Sequence, residues 1–260
     1  MALSRYAEVG FVDDGLPDGA RVADEHHPAS IAFQRSGGTR PIWVRTDIPM
    51  GRGLGYSGAV RVAGAIAAHL EGGDPDAAHD ALVASFDDVL AISSELEGHA
   101  DNVAASLYGG VVATAAGRAV SVPMAIDPTV VVWIPSFTTR TDASRAMLPE
   151  TVQMSDAVFN VGRVALLVAA LCAGDIGALR AATEDRLHQH VRLNTAQPSK
   201  AAMDAALEAG AWCTWLSGSG PTVAALCSPE RAEAIVQQLP ADGAAMVVRI
   251  DHAGASVEAS

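Results

Sequence analysis

A glycine-rich segment between two regular elements is the feature that most constrains how this chain folds. The segment GRGLGYSG, residues 51–58, follows the strand-like stretch PIWVRTDIP (41–49) and precedes an alanine- and valine-rich stretch. Glycine adopts positive φ and lets backbone N–H groups approach a ligand closely. A glycine loop that enters a helix also presents unpaired N–H groups and the positive end of the helix dipole. The layout predicts a phosphate-binding turn, with an ordinary flexible turn as the alternative.

The side chains around this loop limit how it binds an anion. Ser57 stands at the helix entrance, where a hydroxyl group suits Mg²⁺ or a phosphate. A Walker-type loop ends in Gly-Lys-Ser/Thr, and the one lysine of this chain is Lys200. Any anion is therefore expected to be bound by arginine, by backbone N–H groups or through a metal ion.

The composition narrows the class of protein. A chain of 260 residues is long enough for one large domain or two smaller ones. Its formal net charge of −13 argues against a nucleic-acid-binding protein. No uninterrupted apolar run reaches the ~18 residues of a membrane span, and no signal-like segment opens the sequence. We therefore expect a soluble cytoplasmic protein, in which the three cysteines are free thiols.

The remaining pattern mixes helices and strands without a strict βαβ repeat, which predicts an α+β fold in two lobes joined near residues 140–155. Asp74 and Ser155 are the expected N-caps of two long helices. The predicted helices cover 58–69, 75–96, a short segment after 97, 156–172, 177–190, 199–209 and a segment after 229. The predicted strands cover 6–13, 41–49, two segments around 117, 129–135, two segments within 212–227, and 245–250.

Three segments resemble motifs of the GHMP kinases. IPMGRGLGYSGAV (48–60) resembles the second motif, P-x-x-x-G-L-G-S-S-x-A. EGHADNVAASLYGGVV (97–112) resembles a stretch typical of the homoserine kinase family, E-G-H-P-D-N-V-A-P-A-L-x-G-G. LSGSGPTVAAL (216–226) is similar to the third motif, which in the family folds back against the phosphate loop. The motifs occur in the family's order and extend over most of the chain.

The resemblance implies a fold and an activity. The fold is a two-lobed GHMP kinase fold, with a left-handed βαβ lobe over residues 1–145, a ferredoxin-like lobe over residues 146–260, and the active site between them. The activity is transfer of the γ-phosphoryl group of ATP, with Mg²⁺, to the side-chain hydroxyl of L-homoserine on the route to threonine. Two alternatives stay open: a GHMP kinase for another small hydroxylated metabolite, such as mevalonate or pantoate, and a catalytically impaired or non-catalytic binding protein. A homodimer is an open possibility.

The resemblance also assigns catalytic residues. Glu97 matches the glutamate that ligates Mg²⁺, and Ser57 is the second proposed ligand. Arg145 and Arg192 lie in SRAMLPETV and DRLHQHVRL, segments that resemble those supplying arginines to the homoserine site. A guanidinium group suits an α-carboxylate or an incoming phosphoryl group. Asn102 is a further candidate for substrate binding. No aspartate in a matched motif is an obvious general base, so catalysis by positioning is expected.

The nucleotide-binding residues follow from the second and third motifs. Tyr56 departs from the family pattern, which has a serine there, and we expect its backbone N–H to serve instead and its ring to cover the nucleotide. His99 has no partner at metal-ligand spacing, so a hydrogen-bonding role is expected for it. The expected nucleotide-binding set is Gly51, Arg52, Gly53, Leu54, Gly55, Tyr56, Ser57, Gly58, Gly218, Ser219 and Gly220.

The family's first motif, P-x-S-x-N-L-G-x-G-F-D, has no match in this sequence. The segment ALSRYAEV (2–9) resembles the strand that follows this motif in the family. We therefore expect either a start codon upstream of Met1 or a form impaired in catalysis, because the motif supplies an Asn and an Asp to substrate recognition.

Overall fold

The computed structural model describes residues 1–137 and 146–258 and divides the chain into two compact units. Unit 1 contains Met1–Pro49, Gly55–Ser121 and Asp251–Ser260, and unit 2 contains Met50–Leu54 and Val122–Ile250. The glycine loop therefore contributes its first half to unit 2 and its second half to unit 1. The assignment of 1–145 and 146–260 to two family domains stays a prediction, because the units are defined by packing alone.

Unit 1 contains an antiparallel sheet whose strand order, in the described ranges, is β1–β3–β2. The strands are β1 (Ala7–Phe11), β2 (Arg21–Val22) and β3 (Ile42–Thr46). Two helices, α1 (Pro28–Arg35) and α2 (Tyr56–Leu70), pack with β1 and β3. Their shared buried cluster is formed by Ala29, Phe33, Ile42, Val44, Val60 and Ala67.

The helix α2 is the centre of unit 1, because it packs against α1, β1 and three further helices. Those helices are α3 (Ala78–Ala84), α4 (Phe86–Glu97) and α5 (Asp101–Tyr108), and a β4–β5 hairpin (Val111–Ala115, Arg118–Val122) follows them. Gly64 allows the close contact with α1, since a Cβ there would lie 2.2 Å from the carbonyl oxygen of Ala29. Gly64 thus lets α2 pack directly on the backbone of α1.

Unit 2 contains an antiparallel sheet with the strand order β7–β8–β6–β9 among its described residues. The strands are β6 (Thr129–Pro135), β7 (Cys213–Leu216), β8 (Val223–Cys227) and β9 (Gly243–Arg249). The helices α6 (Met154–Ala173), α7 (Ile176–Ala182), α8 (Gln189–Leu193) and α9 (Gln197–Glu208) connect β6 to β7, and α10 (Ala232–Gln238) connects β8 to β9. This βαββαβ connectivity with central first and third strands is ferredoxin-like. The α+β prediction is confirmed; the left-handed crossover stays a prediction.

Several predicted helix boundaries are wrong. The helix predicted over 75–96 is a 3₁₀ turn (Pro75–Ala77) followed by α3 and α4, which are separated at Ser85, whose Oγ donates to the carbonyl of Leu82. The helix predicted over 177–190 is divided into α7 and α8. The helix predicted to follow a Ser155 cap begins at Met154, with Gln153 at the N-cap. The helix α1 and the two-residue strand β2 were not predicted, because their short segments carry no clear period.

One helix, α6, is long and apolar, although the sequence analysis found no uninterrupted apolar run of membrane-spanning length. By length and composition, α6 is apolar enough to cross a membrane, and it alone meets that test in the described ranges. One side of α6 packs within unit 2: Arg163 Nη2 donates to Glu184 Oε2 at 2.7 Å, and the Phe159 ring lies 4.2 Å from the Arg163 guanidinium and 3.9 Å from that of Arg186. The other side is exposed and apolar, with Met154, Val158, Val161, Val164 and Val168 along it.

Candidate active site

The first turn of α2 forms one part of the candidate site. Gly55 is the N-cap of α2 and has a left-handed conformation, with φ +77°. A Cβ added to Gly58 would lie 3.1 Å from Asn102 Cβ, and one added to Gly55 would lie 3.8 Å from Asn102 Cγ. The helix entrance therefore packs directly against the start of α5. The structure brings Asn102, which sequence comparison singled out, beside the predicted phosphate turn.

Ser57 and Glu97 meet beside this helix entrance. Glu97 is the last residue of α4, which ends at Gly98 in the left-handed conformation (φ +81°). Glu97 Oε2 accepts hydrogen bonds from Ser57 Oγ at 2.6 Å and from Arg61 Nε at 2.8 Å. Ser57 and Arg61 are four residues apart on α2, so the two donors project from the same helix face. The structure thus joins the two predicted metal ligands and adds an arginine that sequence analysis missed.

His99 takes part in a hydrogen bond just after Glu97. Its Nδ1 lies 2.6 Å from Asp101 Oδ1, which also accepts from the backbone N–H of Asn102 at 2.8 Å. His99 Nε2 lies 4.0 Å from Glu97 Oε1. These contacts agree with the hydrogen-bonding role expected for His99 and order the turn between α4 and α5.

Tyr56 is bound by a histidine that caps another helix. His27 Nδ1 accepts from the backbone N–H of Ala29 at 3.1 Å, so the neutral ring carries its proton on Nε2. Nε2 lies 3.0 Å from Tyr56 Oη and is the donor in this tautomer. Burial lowers the pKa of His27, and this outweighs the opposing effect of nearby Asp24. The lowered pKa favours the neutral ring. Tyr56 packs against the buried cluster of α1 and β3. The predicted cover of the nucleotide by its ring stays a prediction.

In unit 2, the first half of the glycine loop contacts the loop between β7 and β8. Gly53 has φ +74°, and a Cβ there would lie 2.3 Å from the carbonyl oxygen of Ser217. Ser217 Oγ donates to the carbonyl of Gly53 at 2.7 Å. Gly218 and Gly220 also have positive φ, +55° and +73°. The third motif therefore contacts the second one, as the resemblance implied, and Ser217 is a contact residue that sequence analysis missed.

Arg52 and Leu54 complete this half of the loop. Arg52 Nη1 donates to the carbonyl oxygens of Pro135 at 2.5 Å and Phe137 at 2.7 Å, while Leu54 is half-buried. The Arg52 guanidinium thereby holds the loop at the end of β6. The backbone of Arg52, rather than its side chain, is the part left for the predicted contact with the nucleotide.

Arg192 lies in the short helix α8 beside the same loop. Its Nη1 lies 3.0 Å from His188 Nδ1 and 3.4 Å from the carbonyl oxygen of Gly218. The turn before α8 is held by Asp185, whose Oδ1 accepts backbone N–H groups of residues 187, 188 and 189. Burial raises the pKa of Asp185, but the hydrogen bonds outweigh it and the pKa is lowered. Arg145, the other predicted arginine, lies outside the described residues.

The contact at Gly53 leads to a test of the loop. Gly53→Ala is expected to lower kcat/KM for ATP, the substrate that the resemblance implies, about 10- to 100-fold, because the added Cβ displaces the loop and small misplacements are costly to catalysis. Gly51→Ala is the matched control, since Gly51 also has positive φ (+68°) but has open space around its missing Cβ. Steady-state kinetics and thermal unfolding of both variants measure the effect. Equal losses in the two variants would show that backbone strain, and not the contact with Ser217, matters here.

A glycine turn that enters a helix beside a hydroxyl and a carboxylate is an arrangement suited to phosphates and a hard cation. Comparison with known proteins then identifies the family. The family model for the GHMP kinases N-terminal domain matches residues 21–110, and the model for the GHMP kinases C-terminal domain matches residues 167–245. The chain belongs to the GHMP kinase family and is an ATP-dependent kinase.

Relatives of this chain include homoserine kinases. The homoserine kinase of Caldanaerobacter subterraneus subsp. tengcongensis is 34% identical over 92% of this chain and 80% of its own length. That of Gloeobacter violaceus is 39% identical over 86% of this chain and 76% of its own length. The crystal structure of homoserine kinase from Cytophaga hutchinsonii has a TM-score of 0.77 at 28% identity, covering 97% of this chain and 86% of that one. The resemblance recognised in the three motifs is confirmed.

Proposed function

We propose that this chain is a homoserine kinase, which transfers the γ-phosphoryl group of ATP to the side-chain hydroxyl of L-homoserine on the route to threonine. The observation that carries the proposal is the 2.6 Å contact between the Ser57 hydroxyl and the Glu97 carboxylate at the entrance of α2. It places two oxygen ligands beside the glycine turn: Ser57 from the segment that resembles the second GHMP motif, and Glu97 from the segment that resembles the homoserine kinase stretch. The identity of the acceptor rests on those relatives.

The glycine loop is proposed to bind the phosphates of ATP. Its residues 51–58 would present backbone N–H groups, and the first turn of α2 adds the positive end of its dipole. The Gly218–Gly220 loop supports Gly53, as the hydrogen bond from Ser217 indicates. The proposed role of these residues is to hold the γ-phosphate in line with the acceptor hydroxyl, since phosphoryl transfer requires mainly positioning and charge neutralisation.

Ser57 and Glu97 are proposed to hold Mg²⁺. A hydroxyl and a carboxylate are hard oxygen donors, and Mg²⁺ is usually bound by one or two carboxylates together with phosphates and water. The described residues contain no group of three His, Cys, Asp or Glu side chains that could hold a metal. Bound Mg²⁺ would neutralise charge that develops on the transferring phosphoryl group.

The acceptor is proposed to be held by arginine and amide side chains. Arg192, which lies beside Gly218, would bind the α-carboxylate of L-homoserine through charge-assisted hydrogen bonds. Arg145 has the same proposed role from its sequence motif, and Asn102 is proposed as a further substrate contact. No general base is included in the proposal, because the residues act by orienting the hydroxyl group.

The cellular setting is part of the same proposal. We place the reaction in the cytoplasm, where the ATP pool serves biosynthetic enzymes, with ATP and L-homoserine as the small-molecule partners. Neither nucleic acid nor a membrane is included as a partner, and the net charge of −13 agrees with the first of these. A homodimer stays a prediction.

The acceptor is tested by a substrate panel. The full chain is incubated with ATP and Mg²⁺ and with L-homoserine, D-homoserine, L-serine, mevalonate or pantoate, and ADP release is measured. We expect kcat/KM for L-homoserine to exceed that for the others by about 100-fold or more. The polar groups of the site that pair with L-homoserine would lose partners when another acceptor is bound. A preference for mevalonate or pantoate would overturn the acceptor. Binding of ATP without turnover of any acceptor would favour the non-catalytic alternative.

A further inference from the structure

Arg61 forms an ion pair inside the proposed metal site, although it lies outside the matched positions of the second motif. Its Nε lies 2.8 Å from Glu97 Oε2, and the side chains of Arg61 and Glu97 are only 16% and 12% exposed. A pair so shielded from water is screened far less than a surface pair. Glu97 therefore already has a cationic partner in the protein without nucleotide.

The ion pair changes the charge that a metal ion would meet. The carboxylate of Glu97 and the guanidinium of Arg61 sum to zero, so the oxygen pair of Ser57 and Glu97 has little net attraction for a divalent cation. The phosphates of ATP bring several negative charges, which restore that attraction. Arg61 extends from the α2 helix face that also carries Ser57, near the helix end where phosphates are proposed to bind.

Building on the metal site of the proposed function, we propose that Arg61 is a positioning residue that neutralises Glu97 until the nucleotide arrives. It makes binding of the divalent cation depend on ATP, and it cancels the repulsion that an uncompensated Glu97 carboxylate would exert on the phosphates of metal-free ATP. The cation and the nucleotide thus enter the site together rather than independently.

Arg61 could alternatively act only by orienting the Glu97 carboxylate, and the two roles predict opposite effects of its removal. Loss of orientation would weaken metal binding. However, Ser57 Oγ donates to the same Oε2, so the Glu97 carboxylate keeps much of its orientation without Arg61. A hydrogen bond to a charged group changes an equilibrium by about 10- to 150-fold, but the orienting share lost here is smaller because Ser57 still holds the carboxylate. A unit charge within about 4–6 Å changes the affinity for a proton by about 10- to 1,000-fold, and a divalent cation is affected more. The charge effect therefore dominates.

The test is the binding of Mn²⁺, as a probe for the divalent cation, to the full chain without nucleotide. Free Mn²⁺ is measured by electron paramagnetic resonance during a titration. Arg61→Gln is expected to lower the Kd for Mn²⁺ by about 10-fold or more. The same variant is expected to bind ATP in EDTA about 10-fold more weakly than the unmodified chain, because the uncompensated Glu97 carboxylate repels the phosphates.

The matched control is Arg35→Gln. Arg35 Nη2 pairs with Glu95 Oε1 at 3.3 Å, on the same helix α4 as Glu97, but both side chains are exposed. The substitution makes the same change of charge, and both affinities are expected to stay unchanged. Arg61→Lys retains the charge and is expected to bind Mn²⁺ without nucleotide as weakly as the unmodified chain.

Two further measurements decide between the outcomes. Arg61→Met replaces the charged side chain with an apolar one of similar length. It is used in place of Arg61→Gln if thermal unfolding shows that Arg61→Gln does not fold. Unchanged or weaker Mn²⁺ binding in the charge-removing variant would overturn the role of Arg61. Glu97→Gln, tested with Mn²⁺ and ATP together, is expected to weaken metal binding. If it does not, the metal site in the proposed function fails as well, which distinguishes the two failures.

Discussion

Glu97→Gln is expected to lower kcat about 100-fold or more, because it removes one preorganised charge from the proposed metal site. Glutamine retains the shape of the side chain and can still accept the hydrogen bond from Ser57. Arg61 loses its anionic partner in a shielded position, so the melting temperature should also fall moderately. The measurements are steady-state kinetics with saturating L-homoserine over a range of Mg²⁺ concentrations, and thermal unfolding of the purified variant.

Glu95→Gln is the control for this experiment. Glu95 lies two residues earlier on α4 and forms an exposed pair with Arg35, so its loss should leave kcat unchanged. Wild-type activity of Glu97→Gln, with the same dependence on Mg²⁺, would show that Glu97 serves only at the end of a helix. Such a result would also remove Ser57 as a metal ligand, because the two residues form a single site in the structure.

Arg192→Ala is expected to raise the KM for L-homoserine about 10- to 100-fold. The lost contact is a charge-assisted hydrogen bond to the α-carboxylate, worth roughly 1.5–3 kcal/mol, and about 1.4 kcal/mol corresponds to a tenfold change. Because Arg192 is buried, thermal unfolding must show that the variant remains folded. The KM for L-homoserine and for ATP are both measured, each with the other substrate saturating.

The control for Arg192 is Arg180→Ala, which removes an exposed arginine from α7 of the same unit. It is expected to change neither KM. An unchanged KM for L-homoserine in Arg192→Ala would exclude Arg192 from the acceptor site. A rise in the KM for ATP alone would assign Arg192 to the phosphates, which its contact with the Gly218 carbonyl makes a clear alternative.

Local patterns predicted much of the fold. The glycine loop, the helix that follows it and the β7–β8 strands around the second glycine loop were recognisable because they depend on near neighbours in the chain. Helix breaks were predicted poorly. At Ser85 and around Asp185 the chain turns because side chains bind nearby backbone groups, and a hydrophobic period carries no record of such bonds.

For the candidate site, the sequence by itself determined the family and predicted the phosphate turn and the two metal ligands, Ser57 and Glu97, because short motifs carry them. The 2.6 Å contact between Ser57 and Glu97, which are 40 residues apart, came from the tertiary structure. Only the tertiary structure showed three further hydrogen bonds of the site: Arg61 to Glu97, His27 to Tyr56 and Ser217 to Gly53. The partners are separated by 36, 29 and 164 residues along the chain. The first two contacts depend on how α1, α2 and α4 pack within unit 1, and the third depends on how the β7–β8 loop packs on Gly53 within unit 2. Residues far apart in sequence become neighbours only when burial of the shared apolar faces fixes those elements, and no local pattern encodes that outcome.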